Sequence, residues 1–123
     1  ALPLDIDLMN QAAKILFEYT DFQCFSKVKT DVKTYDCHIM EAEWIGSNNK
    51  LIFKIKADRF LRNMVRAIVG TMIEVGAKKR TLEQFKTIIL SKNRSNAGTS
   101  APAQGLYLTN IEYSKSIYLD EKL

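Results

Sequence analysis

Three arginines lie close together near the middle of this sequence, at positions 59, 62 and 66. Guanidinium groups bind phosphates and carboxylates through forked pairs of hydrogen bonds, and they stay charged at any physiological pH. Separations of three and four residues bring side chains onto one side of an α-helix. If the segment is helical, Arg59, Arg62 and Arg66 therefore form a cationic face that can recognise a phosphate or a carboxylate.

The positive charge of the chain is concentrated around these arginines. The formal net charge is +4, but residues 54–94 contain 11 basic and three acidic residues, whereas the remainder contains seven basic and 11 acidic ones. Such a division is typical of a face that binds a polyanion, although a solvated lysine-rich surface gives the same count. The candidates for phosphate contacts are Arg59, Arg62, Lys78, Lys79 and Arg80.

Other kinds of chemistry have little support in the residue types. The chain has one histidine, His38, and two cysteines, Cys24 and Cys37, and their spacing does not match a zinc site. We predict no metal, two free thiols in a reducing compartment, and structural roles for His38 and Trp44. No apolar stretch approaches the ~20 residues that cross a bilayer.

The elements that must position the arginines can be read from hydrophobic spacing. The chain has 123 residues, of which 46% are hydrophobic and 26% charged, and this composition predicts a single globular domain over residues 1–123. Apolar residues at three- and four-residue steps predict a helix over 5–19. Alternating patterns predict strands over 35–45 and 50–58, joined as a hairpin by a turn at 46–49.

The second half of the chain is predicted to contain two helices and a last strand. Apolar spacing predicts a helix over 59–75, with Gly76 as a left-handed C-cap and Gly70 as a notch where another backbone or a ligand can approach. Thr81 and Gln84 form a capping box for a helix that ends near Lys92. A loop over 94–105 leads to a strand over 106–113 and a polar tail over 114–123. The predicted fold class is α+β, an antiparallel sheet with helices packed on one face.

Two motifs at this separation resemble a known family. The run Ala-Asp-Arg-Phe-Leu-Arg-Asn-Met-Val-Arg-Ala-Ile-Val-Gly at 57–70 and the run Ala-Pro-Ala-Gln-Gly-Leu-Tyr-Leu at 101–108 are similar to the C-terminal half of the tRNA pseudouridine synthase A family. Glu-Val-Gly at 74–76, Met-Asn-Gln-Ala-Ala at 9–13 and Asp-Phe-Gln-Cys-Phe at 21–25 fit the same family. The resemblance covers about residues 9–113 and implies the C-terminal half of a two-lobed pseudouridine synthase fold.

The resemblance implies an enzyme that isomerises uridine to pseudouridine at positions 38–40 in the anticodon arm of tRNA. It implies a cytoplasmic homodimer with tRNA as partner, no membrane contact, no cofactor and no metal. The family's essential aspartate lies in a Gly-Arg-Thr-Asp motif, which this sequence lacks. The run Lys29-Thr30-Asp31 resembles the motif only superficially. We therefore expect a chain cut from a longer enzyme and inactive alone, which agrees with its start at Ala1.

Two site residues follow from the resemblance, and a third is a neighbouring candidate. Arg66 matches the arginine that pairs with the catalytic aspartate, and Leu106 matches the leucine that packs on the target uracil. Tyr107 is a candidate for stacking on a base. By spacing alone, the preferred interpretation of Leu106 and Tyr107 is that both are core residues of a strand.

Two other functions remain open from the sequence. The chain fits an RNA-binding α+β module without chemistry, which would use the same basic helix. It also fits an oligomeric or regulatory domain that binds no nucleic acid. A basic amphipathic helix can in addition lie on anionic lipid, although the apolar arc of this one is needed to cover the sheet.

Overall fold

Four antiparallel strands form one sheet in the computed structural model, which describes residues 4–29, 31–47, 50–101, 106–111 and 114–120. For residues 47, 50, 106–111 and 114–120 only the backbone is described. The strands are β1 (Ile39–Ser47), β2 (Lys50–Ala57), β3 (Leu106–Ile111) and β4 (Ser114–Asp120), and their spatial order is β1-β2-β4-β3. The α+β fold class with an antiparallel sheet is therefore confirmed.

The strand β2 has the alternation that its sequence predicts. Leu51, Phe53 and Ile55 are buried, while Lys54 and Lys56 are exposed. The buried residues of β2 belong to the same apolar core as the helices, so the helices cover this face of the sheet.

The first strand begins four residues later than predicted. Instead of pairing with β2, residues 35–37 pair with residues 20–22, because the Phe22 N–H donates to the Tyr35 carbonyl (3.1 Å) and the Cys37 N–H donates to the Thr20 carbonyl (2.9 Å). The alternation at 35–38 thus reflects this short local pairing. In the sequence, this alternation looks the same as that of a continuous strand.

The first helix, α1 (Ile6–Ile15), begins at an Asp5 cap whose carboxylate accepts a hydrogen bond from the Leu8 N–H (3.0 Å). It continues into a 3₁₀ turn over Leu16–Glu18. Its Asn10 side chain contacts the free edge of β1: the amide donates to the Trp44 carbonyl (3.1 Å), and its oxygen accepts from the Trp44 N–H (2.7 Å). The helix therefore shields part of an edge strand that would otherwise expose unpaired backbone groups.

The central helix, α2 (Met64–Gly76), is shorter than predicted at its N-terminal end. Asn63 has a left-handed backbone (φ 64°), which ends any helix running through it, and Arg59 and Arg62 precede the helix in an irregular segment. The prediction of a single helical face carrying Arg59, Arg62 and Arg66 is therefore wrong. Asparagine tolerates this conformation better than most residues.

The two glycines of α2 permit close approaches and do not cap the helix. Gly76 is the last helical residue, and the left-handed residue lies beyond it at Lys78 (φ 64°), so the predicted glycine C-cap is wrong. A Cβ on Gly76 would lie 2.5 Å from the Met9 sulfur of α1. A Cβ on Gly70 would lie 1.9 Å from the Thr99 carbonyl oxygen, so the predicted notch is filled by another backbone segment.

The third helix, α3 (Leu82–Ser91), has the predicted capping box. The Thr81 hydroxyl accepts from the Gln84 N–H (3.1 Å), and the Gln84 side chain accepts from the Thr81 N–H (2.8 Å). Phe85, Ile88 and Ile89 are buried, and the Phe85 ring lies 6.0 Å from that of Phe25, which is also buried.

The polar tail predicted over 114–123 instead contains β4, the strand that pairs with both β2 and β3. In register, Phe53 of β2 lies opposite Ile117, which lies opposite Leu108 of β3. The run Ile-Tyr-Leu at 117–119 favours a strand, because β-branched and aromatic residues do so. The serines and lysine at the start of β4 are polar, and they led to the prediction of a tail.

Candidate functional site

The segment before α2 is held in place by backbone hydrogen bonds. The Arg62 carbonyl accepts from the Lys27 N–H (2.9 Å), and the Leu61 carbonyl accepts from the Met64 N–H (3.1 Å). The side chain of Asn63, the N-cap residue, does not cap α2. Its first N–H groups therefore contribute partial positive charge where Met64, Val65 and Arg66 line a cavity.

Arg66 and Ala101 are joined by two reciprocal hydrogen bonds. The Ala101 N–H donates to the Arg66 carbonyl (2.9 Å), and the Nε of Arg66 donates to the Ala101 carbonyl (2.9 Å). The two terminal nitrogens of Arg66 have no hydrogen-bond partner in the described part of the chain. The guanidinium is thus fixed in orientation while its forked end remains able to bind an anion.

The loop that carries Ala101 is fixed against α2 by buried groups. The Thr71 hydroxyl donates to the Ala67 carbonyl (2.9 Å) and accepts from the Gly98 N–H (2.9 Å). Ala97 and Ala101 are buried. Since Thr99 passes directly over Gly70, the glycine is the feature of α2 that lets this loop reach Arg66.

Ser100 connects two polar side chains at the rim of this loop. Its hydroxyl oxygen accepts from the Asn63 amide (2.6 Å) and from a terminal nitrogen of Arg94 (3.0 Å). A hydroxyl oxygen that accepts two hydrogen bonds has used its acceptor capacity. Its own proton is then available to an acceptor outside this trio.

A cavity of about 600 Å³ lies beside these residues and is cationic. Lys27, Arg62 and Arg66 line it together with Asn63 and Ser100, and none of its lining residues is acidic. Arg62 is exposed and Arg66 is half-buried. The arrangement suits an anionic group, because cationic donors, helix N–H groups and hydroxyl donors converge on one space. We name this space the Arg66 cavity.

Two of the five predicted phosphate-binding residues have structural partners. Arg59 donates through one terminal nitrogen to the Thr34 carbonyl (3.0 Å), the Thr34 hydroxyl (3.3 Å) and the Asp36 carbonyl (3.2 Å). Arg80 forms an ion pair with Glu74 and donates to the Asn96 carbonyl (3.1 Å). Both side chains fix loops, a role that the spacing of basic residues does not reveal.

The five residues do not form one patch. Lys78 and Lys79 are exposed, but they follow the C-terminal end of α2, whereas Arg62 precedes its N-terminal end. At 1.5 Å per residue, a helix of this length separates the two groups by about 20 Å. Of the five, only Arg62 lines the Arg66 cavity.

The predicted base contacts lie largely outside the described side chains. Leu106 and Tyr107 begin β3, and their backbones lie opposite Leu119 and Tyr118 of β4. Residues 102–105, which connect Ala101 to this strand, are outside the described residues. The roles of Leu106 and Tyr107 therefore stay predictions.

The remaining reactive side chains have structural environments. His38 contacts Asp58 through its backbone N–H (2.8 Å) and its Nδ1 (2.7 Å), and these hydrogen bonds lower the pKa of the Asp58 carboxyl. Cys24 and Cys37 are free, as predicted, and both are buried. Burial raises the pKa of the Cys24 thiol to about 12 and that of the Cys37 thiol to about 11, so both stay protonated at neutral pH.

Two further cavities border the described chain. One, of about 710 Å³, lies between α1 and β1 and mixes Asp7 and Glu43 with Lys14, so it has no preference for an anion. The other, of about 530 Å³, is lined by Lys27, Lys29, Lys92 and Arg94 and by no acidic residue. Lys92 and Arg94 belong to the basic segment at residues 54–94, but the sequence alone assigns them no role.

Comparison with known proteins settles the family. The sequence model of the family described as tRNA pseudouridine synthase matches residues 12–114. The chain belongs to the tRNA pseudouridine synthase family. The match includes α2, the Arg66 cavity and the loop that closes over Gly70, so the site described here lies within the family's own sequence pattern.

Individual relatives carry the same name. The chain is 54% identical over 121 residues to a protein named tRNA pseudouridine synthase A from Bacteroides thetaiotaomicron, covering 96% of this chain and 45% of that protein. It is 44% identical over 113 residues to one from Anoxybacillus flavithermus, covering 90% of this chain and 46% of that protein. The chain thus spans about half the length of the curated relatives it matches.

Within the described ranges the chain has neither a cluster of metal ligands nor a helix suited to cross a membrane. No three residues among the histidines, cysteines and acids described there are grouped so that they could hold a metal ion. None of the described helices combines the length and the apolar character that a membrane crossing requires.

Proposed function

We propose that this chain is the C-terminal half of an enzyme that isomerises uridine to pseudouridine in the anticodon arm of tRNA, at positions 38–40. In this reaction the bond between the ribose C1′ and the uracil N1 breaks, the base turns, and C1′ bonds to C5. N1 gains a proton, and C5 loses one to solvent. The proposal is supported by family membership and by the cationic Arg66 cavity, whose described lining contains no acid.

The observation that carries the proposal is the free forked end of Arg66. Its Nε is engaged by Ala101, whereas its terminal nitrogens have no partner among the described residues. A guanidinium in this state suits an incoming carboxylate, which it would orient and keep ionised by lowering the carboxyl pKa. We assign that carboxylate to an aspartate that this chain does not supply, since its sequence has no Gly-Arg-Thr-Asp motif.

This assignment makes Arg66 a positioning residue for the catalytic aspartate and predicts that the chain is inactive alone. It leaves Arg62 as the residue for an RNA phosphate at the same cavity, with Lys78 and Lys79 as more distant contacts. Leu106 and Tyr107 are proposed to contact the target base. The complete enzyme is proposed to be a cytoplasmic homodimer.

The test uses the protein made from its complete coding sequence and tRNA transcripts carrying tritium at C5 of uridine. Because C5 gives up its hydrogen when it bonds to the ribose, release of tritium to water measures turnover. We expect Arg66→Gln to lower the single-turnover rate by about 100-fold, because two charge-assisted hydrogen bonds to the carboxylate are worth about 3 kcal/mol together. Binding of tRNA should change little.

Arg62→Gln serves as the matched control, since it removes a guanidinium from the same cavity. It should weaken tRNA binding and leave the single-turnover rate at saturating tRNA nearly unchanged. A rate for Arg66→Gln within a few-fold of wild type would remove the proposed role of Arg66. Tight tRNA binding without any tritium release by the wild-type protein would favour the RNA-binding module without chemistry.

A further inference from the structure

The second basic cavity lies between the turn at residues 23–29 and the C-terminal end of α3. Four cationic side chains, Lys27, Lys29, Lys92 and Arg94, line it together with no described acid, and the Lys92 ammonium lies 3.7 Å from an Asp21 carboxylate oxygen. This distance is long for an ion pair, and the Lys92 side chain is 59% exposed. The cavity therefore keeps a net positive charge.

This cavity adjoins the Arg66 cavity. Lys27 lines both spaces. Arg94 of the second cavity donates to the Ser100 hydroxyl, which also accepts from Asn63, and both Ser100 and Asn63 line the first cavity. The two cavities are thus adjoining parts of one basic groove, and its lining includes Arg62, Arg66, Lys27 and Lys92.

The backbone at this groove has an unusual conformation. Non-glycine residues with positive φ in the described chain are Lys29 (63°), Asn63 (64°), Lys78 (64°) and Lys92 (53°), and three of these four line the groove. Glycine or asparagine is the residue type that favours the left-handed region. The left-handed turns at positions 29 and 92 thus carry lysines, whose charged side chains line the groove.

Arg94 has the geometry of a fixed phosphate ligand. Its two terminal nitrogens donate to the Gly98 carbonyl (3.0 Å) and to the Ser100 hydroxyl (3.0 Å), which hold the half-buried side chain in place. A guanidinium has five N–H donors, so further donors remain for a ligand. Lys29 and Lys92 can then add mobile charge around a rigid centre.

We propose that the cavity formed by Lys29, Lys92 and Arg94 binds backbone phosphates of the same RNA strand whose target nucleotide occupies the Arg66 cavity. This inference rests on the proposed function and extends it, because it assigns RNA contacts to three residues outside the segment at 59–66. The groove thereby sets the direction in which the strand leaves the site of reaction. Phosphate contacts of this kind fix position and carry no sequence preference.

The test measures the salt dependence of tRNA binding by the protein made from its complete coding sequence. The double variant Lys29→Asn with Lys92→Asn removes both charges and places asparagine where the backbone is left-handed, so folding should be retained or improved. Each lost phosphate contact lowers the slope of log K against log salt by about 0.7–0.9. We expect a slope reduced by about 1.4–1.8.

The matched control is Lys14→Gln with Lys54→Gln, which removes the same charge from exposed positions outside the groove and should leave the slope unchanged. A second variant, Asp21→Asn, removes the acid that pairs with Lys92 and keeps an oxygen for the Gln23 N–H (3.0 Å). It should tighten tRNA binding.

Three results would overturn the inference. If the double variant keeps the wild-type slope while the wild-type protein binds and isomerises tRNA, the second cavity is not a phosphate site, although the proposed function stands. If the wild-type protein neither binds nor isomerises tRNA, the proposed function fails and this inference fails with it. An affinity of Asp21→Asn equal to or below that of wild type counts against the inference independently of the lysines.

Discussion

Replacement of Gly70 by alanine tests how tightly the loop at residues 97–101 is fixed to α2. A Cβ at this position would lie 1.9 Å from the Thr99 carbonyl oxygen and 3.0 Å from the Ala101 nitrogen. Ordinary carbon–oxygen contacts begin near 3.3 Å. Because both neighbours are backbone atoms, the loop must move away by about 1.4 Å.

The energetic effect has two opposing contributions. Alanine improves helix propensity over glycine by about 1 kcal/mol. Movement of the loop disrupts the hydrogen bond from the Gly98 N–H to Thr71 and the reciprocal pair between Arg66 and Ala101. At about 1 kcal/mol each, these losses total about 3 kcal/mol, so Gly70→Ala should destabilise the protein by about 2 kcal/mol.

Urea unfolding followed by far-ultraviolet circular dichroism provides the measurement. With a slope near 2 kcal/mol per molar urea, we expect the midpoint to fall by about 1 M, and turnover to fall as well because Arg66 loses its orientation. Gly46→Ala is the control: a Cβ there would lie 3.4 Å from the flexible end of Ile6, so the midpoint should barely change. A Gly70→Ala protein as stable as wild type would refute this account of the loop.

Two further predictions concern the thiols and the sheet edge. The pKa values of the Cys24 and Cys37 thiols are raised from 9.0 to about 12 and about 11. The folded protein therefore keeps these protons at a pH where the unfolded chain has already lost them. The thiols thus contribute stability below pH 9, and this stability is lost as the pH rises towards 11. Urea midpoints measured from pH 8 to 11 should therefore fall, and the fall should be smaller in a Cys24→Ala, Cys37→Ala protein; equal slopes would contradict this. Asn10→Leu, which leaves the Trp44 N–H and carbonyl at the edge of β1 without their partner, should cost about 2 kcal/mol, whereas Gln11→Leu on the exposed side of α1 should have little effect in the same titration.

The local signals in the sequence predicted local structure well. The capping box at Thr81 and Gln84 needs only residues three apart, and the alternation of β2 reports burial directly, so both were predicted correctly. Gly70 was correctly predicted as a point of close approach, although the sequence did not reveal that the approaching backbone is Thr99.

Predictions failed where a distant segment decides the conformation. The backbone at Asn63 is left-handed and its side chain binds Ser100, 37 residues away, so periodicity alone extended α2 too far. The loop carbonyls that the guanidinium groups of Arg59 and Arg80 bind are likewise invisible in the sequence, and their predicted phosphate contacts stay predictions. The polar start of β4 likewise concealed a strand whose stability comes from its two neighbours.

The candidate site was only partly readable for the same reason. Arg66 was predicted from a motif, and the structure places it on a cationic cavity with Arg62. Lys29, Lys92 and Arg94 come from separate stretches of chain that meet only in the fold. A left-handed lysine has no signature in a sequence, so this half of the groove could not have been found without coordinates.

The order of the strands has a consequence for how the chain is synthesised. β4 lies inside the sheet, between β2 and β3, yet the ribosome makes it after every other described element. The hairpin of β1 and β2 must therefore wait, with one side of β2 unpaired, until more than 50 further residues have been translated. Pairing over such a separation is slow and leaves an open strand edge exposed meanwhile, so the nascent domain should depend on chaperones until its last strand emerges.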